Sequence, residues 1–349
     1  ASRSWVTIAT LPDIYPIGDE QRLVYEVLGR RVPPRGIPIQ VGVVVLNIET
    51  LYNVAKALDG QPVIETHVTV NGAVAEAATW AVPVGTAIED VLHQAEPLSE
   101  LTNLAIIQGG PMMGQLVEDL SQPVTKTTKG LIVLPQEHVV ITRLKAKGTA
   151  LRRAFNVCSQ CTMCTDLCPR YLLGHPLWPH RIMRTMAGTG NIDLEALQGA
   201  LLCSECGVCD SYACFMGLSP RWVNQVVKEE LASQAKPTFA ELEDIRQGFT
   251  DSQVPTERLL FRLDLKKWAK PAPLRGSLPE PDQVIIPLTQ HVGRAAHCHL
   301  QVGQEVSRGA VLADVPDGAL GAPIHSSING TIRIIEDGVV VVERGGRDE

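Results

Sequence analysis

Apolar residues recur at helical spacing at Ile48, Leu51, Ala55 and Leu58. That pattern predicts a helix over 48–58, with Asn47 where its N-cap would sit. Further on the period changes to two. "HVTV" (67–70) reads as a strand, "NG" (71–72) as a tight turn and "TWAV" (79–82) as the return strand. "TAIEDVLHQA" (86–95) reads as a helix capped by Thr86. Strand, hairpin and helix in this order fit a small β-grasp-like unit. Residues 138–235 look mostly helical. The stretch "WAKPAPLRGSLPEPD" (268–282) carries four prolines and reads as a linker. Beyond it "VIIPL", "HLQV", "AVLADV", "TIRII" and "VVVVER" read as strands of an all-β module.

The predicted fold class is therefore α+β and multidomain. The divisions fall at 1–60, 61–137, 138–235, a linker over 236–282, and 283–349. A length of 349 residues suits two or three domains. Hydrophobic residues make up 45%, enough for ordinary cores, but aromatics only 4%, so packing is aliphatic. The net charge of −7 argues against nucleic acid as the main partner. The best apolar run, 41–58, is interrupted by Asn47, Glu49, Asn53 and Lys56, so no membrane span is expected. The start "ASRSWVTIAT" shows neither a signal-peptide pattern nor an initiator Met, and an N-terminal portion is expected to lie outside this sequence.

The cysteines change the picture most. Of nine, eight lie in two runs, and Cys298 stands apart. The runs are Cys158, Cys161, Cys164 and Cys168 followed by Pro169, then Cys203, Cys206, Cys209 and Cys214. Without a signal peptide, such clustering points to metal ligation rather than disulfides. Structural zinc usually takes two knuckles of two ligands each, which fits two triplets with trailing cysteines poorly. The first run has the spacing of bacterial ferredoxins, in which the fourth cysteine serves the other cluster. By exchange, one [4Fe–4S] cluster takes Cys158, Cys161, Cys164 and Cys214, and the other takes Cys203, Cys206, Cys209 and Cys168. The second run departs from the pattern: its last gap is four residues and Phe215 replaces the proline. Arg152, Arg153, Arg170, Arg181 and Arg221 lie near the runs and could balance cluster charge or simply form a solvated face.

"YPIGDE", "GRRVPPRGIP" and "VGVVVLNIETL" resemble the flavin-binding subunit of NADH:quinone oxidoreductase. The resemblance implies FMN contacts at Tyr15, Gly18, Asp19 and Glu20, and at Asn47, Glu49 and Thr50. The family's glycine-rich loop for flavin phosphate and NADH has no counterpart here and would precede residue 1. "IIQGGPMMG" (106–114) is not a P-loop, since no Gly-Lys-Ser/Thr follows. That segment and "PVTKTTKG" (123–130) resemble the RnfC family of electron-transport proteins. "VGQEVSRGAVLADV" (302–315) and "GAPIHSSINGTIRII" (321–335) resemble the halves of a barrel-sandwich hybrid, the fold of biotinyl and lipoyl carriers. No lysine follows Lys270, so a lysine-modified swinging arm is excluded. In "HVGRAAHCHL" (291–300), His297 and His299 would share one strand face and Cys298 the other, a pattern read as structural.

RnfC-type proteins carry the barrel-sandwich module first, whereas here it comes last. That order, with the motifs above, resembles the cobalamin reductases of propanediol-utilisation microcompartments. The resemblance implies an oxidoreductase with FMN and two [4Fe–4S] clusters that passes electrons from NADH to a corrinoid. It also implies contact with a microcompartment shell protein and an adenosyltransferase, and a cytoplasmic location within the compartment. The alternatives are an electron-transfer component of an Rnf-like complex serving another redox protein, or an iron–sulfur docking module. No side chain is expected to act as acid, base or nucleophile, since the chemistry belongs to the cofactors.

Overall fold

The computed structural model describes residues 5–188, 191–233, 237–336 and 338–345. The chain divides into two compact units that alternate along the sequence. One holds residues 1–45 and 142–266, the other 46–141 and 267–349. The segment 1–60 is therefore shared between them, its helix Ile48–Leu58 belonging to the second unit. Among the described residues no helix is long and apolar enough to cross a membrane.

The first unit is helical around the cysteines. Helices Ala150–Val157, Pro179–Met186, Leu194–Gly199 and Pro220–Ala232 converge on Leu177, Ile182, Met183, Ala196 and Val223. Leu177, Ile182, Met183 and Val223, buried there, each contribute on the order of 1.5–3 kcal/mol. The N-terminal helix Glu20–Leu28 starts at Asp19, whose carboxylate accepts from Gln21 N and Arg22 N at 3.1 and 3.3 Å. The two-residue strand Ile14–Tyr15 just before it pairs with Val254–Pro255.

The second unit contains a six-stranded sheet. Its spatial order is Gln115–Leu116, Leu104–Gln108, Gly130–Pro135, Glu65–Gly72, Ala78–Pro83, Leu274–Ser277. Alternate residues of Glu65–Gly72 are buried, as the period of two requires, and Ile88, Val91 and Leu92 of helix Ile88–Gln94 join that core. Two sequence expectations change here. Asn71 and Gly72 stay in the strand, opposite Ile132 and Val133, and the chain turns over 73–77 instead. Gly72 has φ +108°, and a Cβ there would lie 2.1 Å from the Val133 carbonyl oxygen, so glycine serves close strand approach rather than a hairpin. Thr86 does not cap the following helix. The N-cap is Ala87, and the Thr86 hydroxyl donates to Pro83 O at 2.8 Å.

The proline-rich stretch 268–282 is not a free tether. Leu274–Ser277 pairs in parallel with Ala78–Pro83, and the Asn71 amide bonds Lys270 O at 2.7 Å and accepts from Lys270 N at 3.2 Å. Prolines fit such an edge because it leaves backbone donors unused. Within the same span of 236–282, residues Thr256–Arg262 form a helix. The last part of the unit is two small sheets enclosing Val284, Ile286, Leu312, Ile324, Ile332 and Val340. One is Glu305–Val306, Gly330–Glu336, Val339–Glu343 and Gln283–Pro287; the other is His297–Cys298, Val311–Asp314 and Ile324–His325. "HLQV" lies outside the strands: the chain leaves the sheet after Cys298 and turns at Val302 and Gly303.

Candidate metal centre

All eight clustered cysteines lie in the helical unit, most at an element end or inside a short helical turn, with Cys161 and Cys206 in irregular chain. Cys158 ends helix Ala150–Val157, Cys164 sits in Met163–Asp166, and Cys168 precedes Pro169–Leu172. Cys203 follows the 3-10 turn Ala200–Leu202. The two runs begin alike, as Cys-Ser-x-Cys, and in each the third residue is left-handed: Gln160 at φ 56° and Glu205 at φ 58°. That inversion wraps the backbone around the space the thiols face. The repeated "CSQC" and "CSEC" was the sequence signal for it.

The irregular gap before Cys214 has a structural answer. Val208–Ala213 forms a π-helical turn, which takes up one residue more than an α-turn. In the first run the shorter gap is spanned by the α-turn Met163–Asp166. Cys214 thereby ends within electrostatic reach of Cys164.

Several thiols of one run lie within electrostatic reach of thiols in the other. Burial raises the Cys164 pKa most, to about 12, and the charges of Cys161, Cys214 and Cys158 raise it further. Cys168 is raised by burial first and then by Cys206 and Cys203. Burial pushes Cys206 up to about 12, with Cys203 contributing, and Cys209 is raised by burial and by Asp210, Cys203, Cys206 and Cys164. Yet among the described residues no three His, Cys, Asp or Glu side chains lie close enough to hold a single ion. Cysteine thiolates are the ligands of iron–sulfur clusters. The raised thiol pKa values mean that metal binding must release protons.

Several groups support the thiols. Glu205 N donates to Cys203 Sγ and Leu218 N to Cys214 Sγ, both at 3.4 Å, while the Asn224 amide reaches Cys203 Sγ at 3.7 Å. Tyr15 donates its hydroxyl to Cys206 O at 2.7 Å. These long-range partners had no sequence signal. Three of the five arginines near the runs pair with carboxylates: Arg170 with Asp19 at 2.9 Å, Arg181 with Asp193 at 2.7 Å, and Arg221 with Asp210 at 3.9 Å. Arg152 and Arg153 are exposed.

The seven residues of the flavin-type motifs divide between the two units, Tyr15 to Glu20 in one and Asn47 to Thr50 in the other. Asn47 caps its helix by accepting from Glu49 N at 2.9 Å. The Glu49 carboxylate accepts from His67 N at 3.0 Å and pairs with Lys129 at 2.6 Å. Tyr15 and Asp19 are also bonded internally; the exposed residues are Gly18 and Glu20 in the first motif, and Asn47 and Thr50 in the second. An exposed helix start flanked by Asn and Thr fits a flavin phosphate.

Comparison with known proteins finds three family matches along the chain. Residues 1–56 match the Nuo51 FMN-binding domain, 157–219 the 4Fe-4S dicluster domain, and 264–346 the RnfC barrel sandwich hybrid domain. These define the class: an oxidoreductase whose cofactors are FMN and iron–sulfur clusters. The chain is 43% identical over 342 residues to cobalamin reductase PduS of Salmonella typhimurium, covering 97% of this chain and 76% of that protein. To PduS of Citrobacter freundii it is 42% identical over 343 residues, with the same coverage. The chain belongs to the cobalamin reductase PduS family. A component of the proton-translocating ferredoxin:NAD(+) oxidoreductase complex of Clostridium ljungdahlii is 32% identical over 169 residues, 48% of this chain and 34% of that protein.

Proposed function

We propose that the chain carries electrons from NADH, by way of FMN and two [4Fe–4S] clusters, to a corrinoid, taking cob(III)alamin towards cob(I)alamin. The observation that carries this reading is the nearness of each run's thiols to those of the other, Cys214 to Cys164 and Cys168 to Cys203 and Cys206. Cys158, Cys161, Cys164 and Cys214 would hold one cluster, and Cys168, Cys203, Cys206 and Cys209 the other. The clusters supply one-electron storage. The N–H groups of Glu205, Leu218 and Asn224 donate to ligand sulfurs, which favours the more negative, reduced state. Tyr15 fixes the Cys206 loop. Gly18, Glu20, Asn47 and Thr50 would contact FMN, with Tyr15, Asp19 and Glu49 holding their loops in shape.

The six-stranded sheet with its helix supports the β-grasp assignment of residues 61–137. The names of the PduS relatives support corrinoid as acceptor and the propanediol-utilisation microcompartment as location; a shell protein and an adenosyltransferase as partners rest on the sequence resemblance alone. Likeness to the Clostridium ljungdahlii protein favours a second reading, in which another redox protein is the acceptor.

The test is anaerobic, NADH-dependent reduction of hydroxocobalamin, followed by its visible spectrum, together with iron and sulfide analysis. About eight of each per chain are expected for two cubanes. Reduction of a ferredoxin but never of corrinoid would move the assignment to the second reading. Zinc without sulfide would sink both.

A further inference from the structure

The two quartets of thiols sit differently in the helical unit. Of Cys168, Cys203, Cys206 and Cys209, all but Cys203 are buried. Of Cys158, Cys161, Cys164 and Cys214, only Cys164 is buried, and Cys161 is exposed. The flavin-type motif that begins at Tyr15 stands against the loops of the more buried quartet. The Tyr15 hydroxyl donates to the Cys206 carbonyl oxygen at 2.7 Å. The Asp19 carboxylate pairs at 2.9 Å with Arg170, just beyond Cys168, and lies within electrostatic reach of the Cys206 thiol. Leu167 and Pro169, the chain neighbours of Cys168, line one small cavity with Tyr15, Pro16 and Ile17.

Tyr15 is held on its other side as well, since Ile14 and Tyr15 pair with Pro255 and Val254 in a short antiparallel ladder. A hydrogen bond, an ion pair and an apolar wall therefore bring one segment to both cysteine runs. In each run the contact falls on the loop of a ligand of the same quartet, Cys168 or Cys206. Electron transfer weakens steeply with distance, so the quartet whose loops touch the flavin motif is the one served first.

We propose that electrons enter the cluster pair at the quartet of Cys168, Cys203, Cys206 and Cys209, and that Tyr15 is the positioning residue that holds the flavin motif against it. The inference rests on the reading above, in which Gly18 and Glu20 contact FMN and each quartet holds a cluster. In the entry step one electron is lost by the reduced flavin and gained by the oxidised cluster, and a proton of the flavin ring passes to water. NADH supplies the electron pair. The quartet containing Cys161 is then loaded from the buried one.

The test uses the reconstituted, FMN-loaded full-length protein and two variants that each keep one cluster, Cys214→Ser and Cys206→Ser, checked by about four iron and four sulfide per chain. Each is mixed anaerobically with NADH and frozen rapidly. Absorbance reads the flavin, and electron paramagnetic resonance reads the clusters. Cys214→Ser should give a reduced-cluster signal. Cys206→Ser should bleach its flavin while its cluster stays oxidised over the same interval. A redox titration then reads Tyr15 independently of turnover, with Tyr15→Phe placed in each of these variants. Loss of the hydroxyl should make the cluster kept by Cys214→Ser harder to reduce by about fivefold in its one-electron equilibrium, the worth of one hydrogen bond. The cluster kept by Cys206→Ser should not move. If a cysteine variant retains no cluster, Tyr15→Phe in the two-cluster protein decides alone, and one midpoint of the two should shift. Prompt cluster reduction in Cys206→Ser, none in Cys214→Ser, or a Tyr15→Phe shift that falls on the wrong cluster, on both or on neither overturns the proposal. A parent whose flavin is reduced while both clusters stay oxidised, or that lacks sulfide, defeats the underlying reading instead.

Discussion

Asp19 offers a sharp separation between a structural and a ligand-binding role. One carboxylate oxygen caps the helix Glu20–Leu28 through Gln21 N and Arg22 N, and the other pairs with Arg170 Nη2 at 2.9 Å. The two side chains are only 9% and 14% exposed, so the pair is little screened. Asp19→Ala removes the cap, worth about 1 kcal/mol. It also leaves the Arg170 guanidinium buried without its counter-charge, which costs about 3 kcal/mol. The expected loss is about 4 kcal/mol in the helical unit. Asp19→Asn keeps a capping oxygen and should lose about 3 kcal/mol. The assay is anaerobic urea unfolding followed by the visible iron–sulfur band, which reports on this unit alone. A double-mutant cycle with Arg170→Met should give a coupling of about 2 kcal/mol, and FMN content at low denaturant should stay at parent level. A coupling below about 0.5 kcal/mol, or FMN lost from Asp19→Asn while stability is unchanged, would refute the reasoning.

Three further outcomes follow from the same geometry. Cys214→Ser should lower iron and sulfide from about eight to about four per chain, measured after reconstitution, because one of two quartets loses its closing ligand. Gly72→Ala should destabilise the sheet unit by more than about 3 kcal/mol in thermal unfolding, since its Cβ would strike the Val133 carbonyl at positive φ. His175 is buried, and burial first, then the Arg170 charge, lowers its pKa to about 4. The unfolded chain therefore binds a proton that the folded one refuses between about pH 6.5 and 4, so stability falls with pH across that window, by up to about 3 kcal/mol. His175→Gln should flatten this limb of the stability profile, and an unchanged slope would count against a neutral buried imidazole.

Some of this architecture was legible because it is local. Triplets at intervals of three, a trailing Cys168-Pro169 and a repeated Cys-Ser-x-Cys depend on backbone geometry over a few residues. The helix over 48–58 and its Asn47 cap follow from periodicity and from one short-range hydrogen bond, and both are present. The same periodicity did not say what covers the helix: Ile48, Leu51 and Leu58 stand 79%, 53% and 85% exposed in these two units. An apolar stripe records a tendency to be buried, and it does not name a partner.

What only the tertiary structure decided was long-range. A proline-rich stretch looked like a tether, yet it pairs with a strand almost two hundred positions away, because an edge strand tolerates residues that a central one does not. "NG" looked like a hairpin turn, yet Gly72 is needed where two parallel strands approach too closely for a side chain. Tyr15 bonds Cys206 across 191 positions, a contact without any local signature. The sequence determined which residues could bind iron, since spacing and thiol chemistry travel with the chain. Which thiols become neighbours, which are exposed, and how a four-residue gap closes on Cys214 were decided by packing, since a π-helical turn forms only where surrounding helices hold its ends in place.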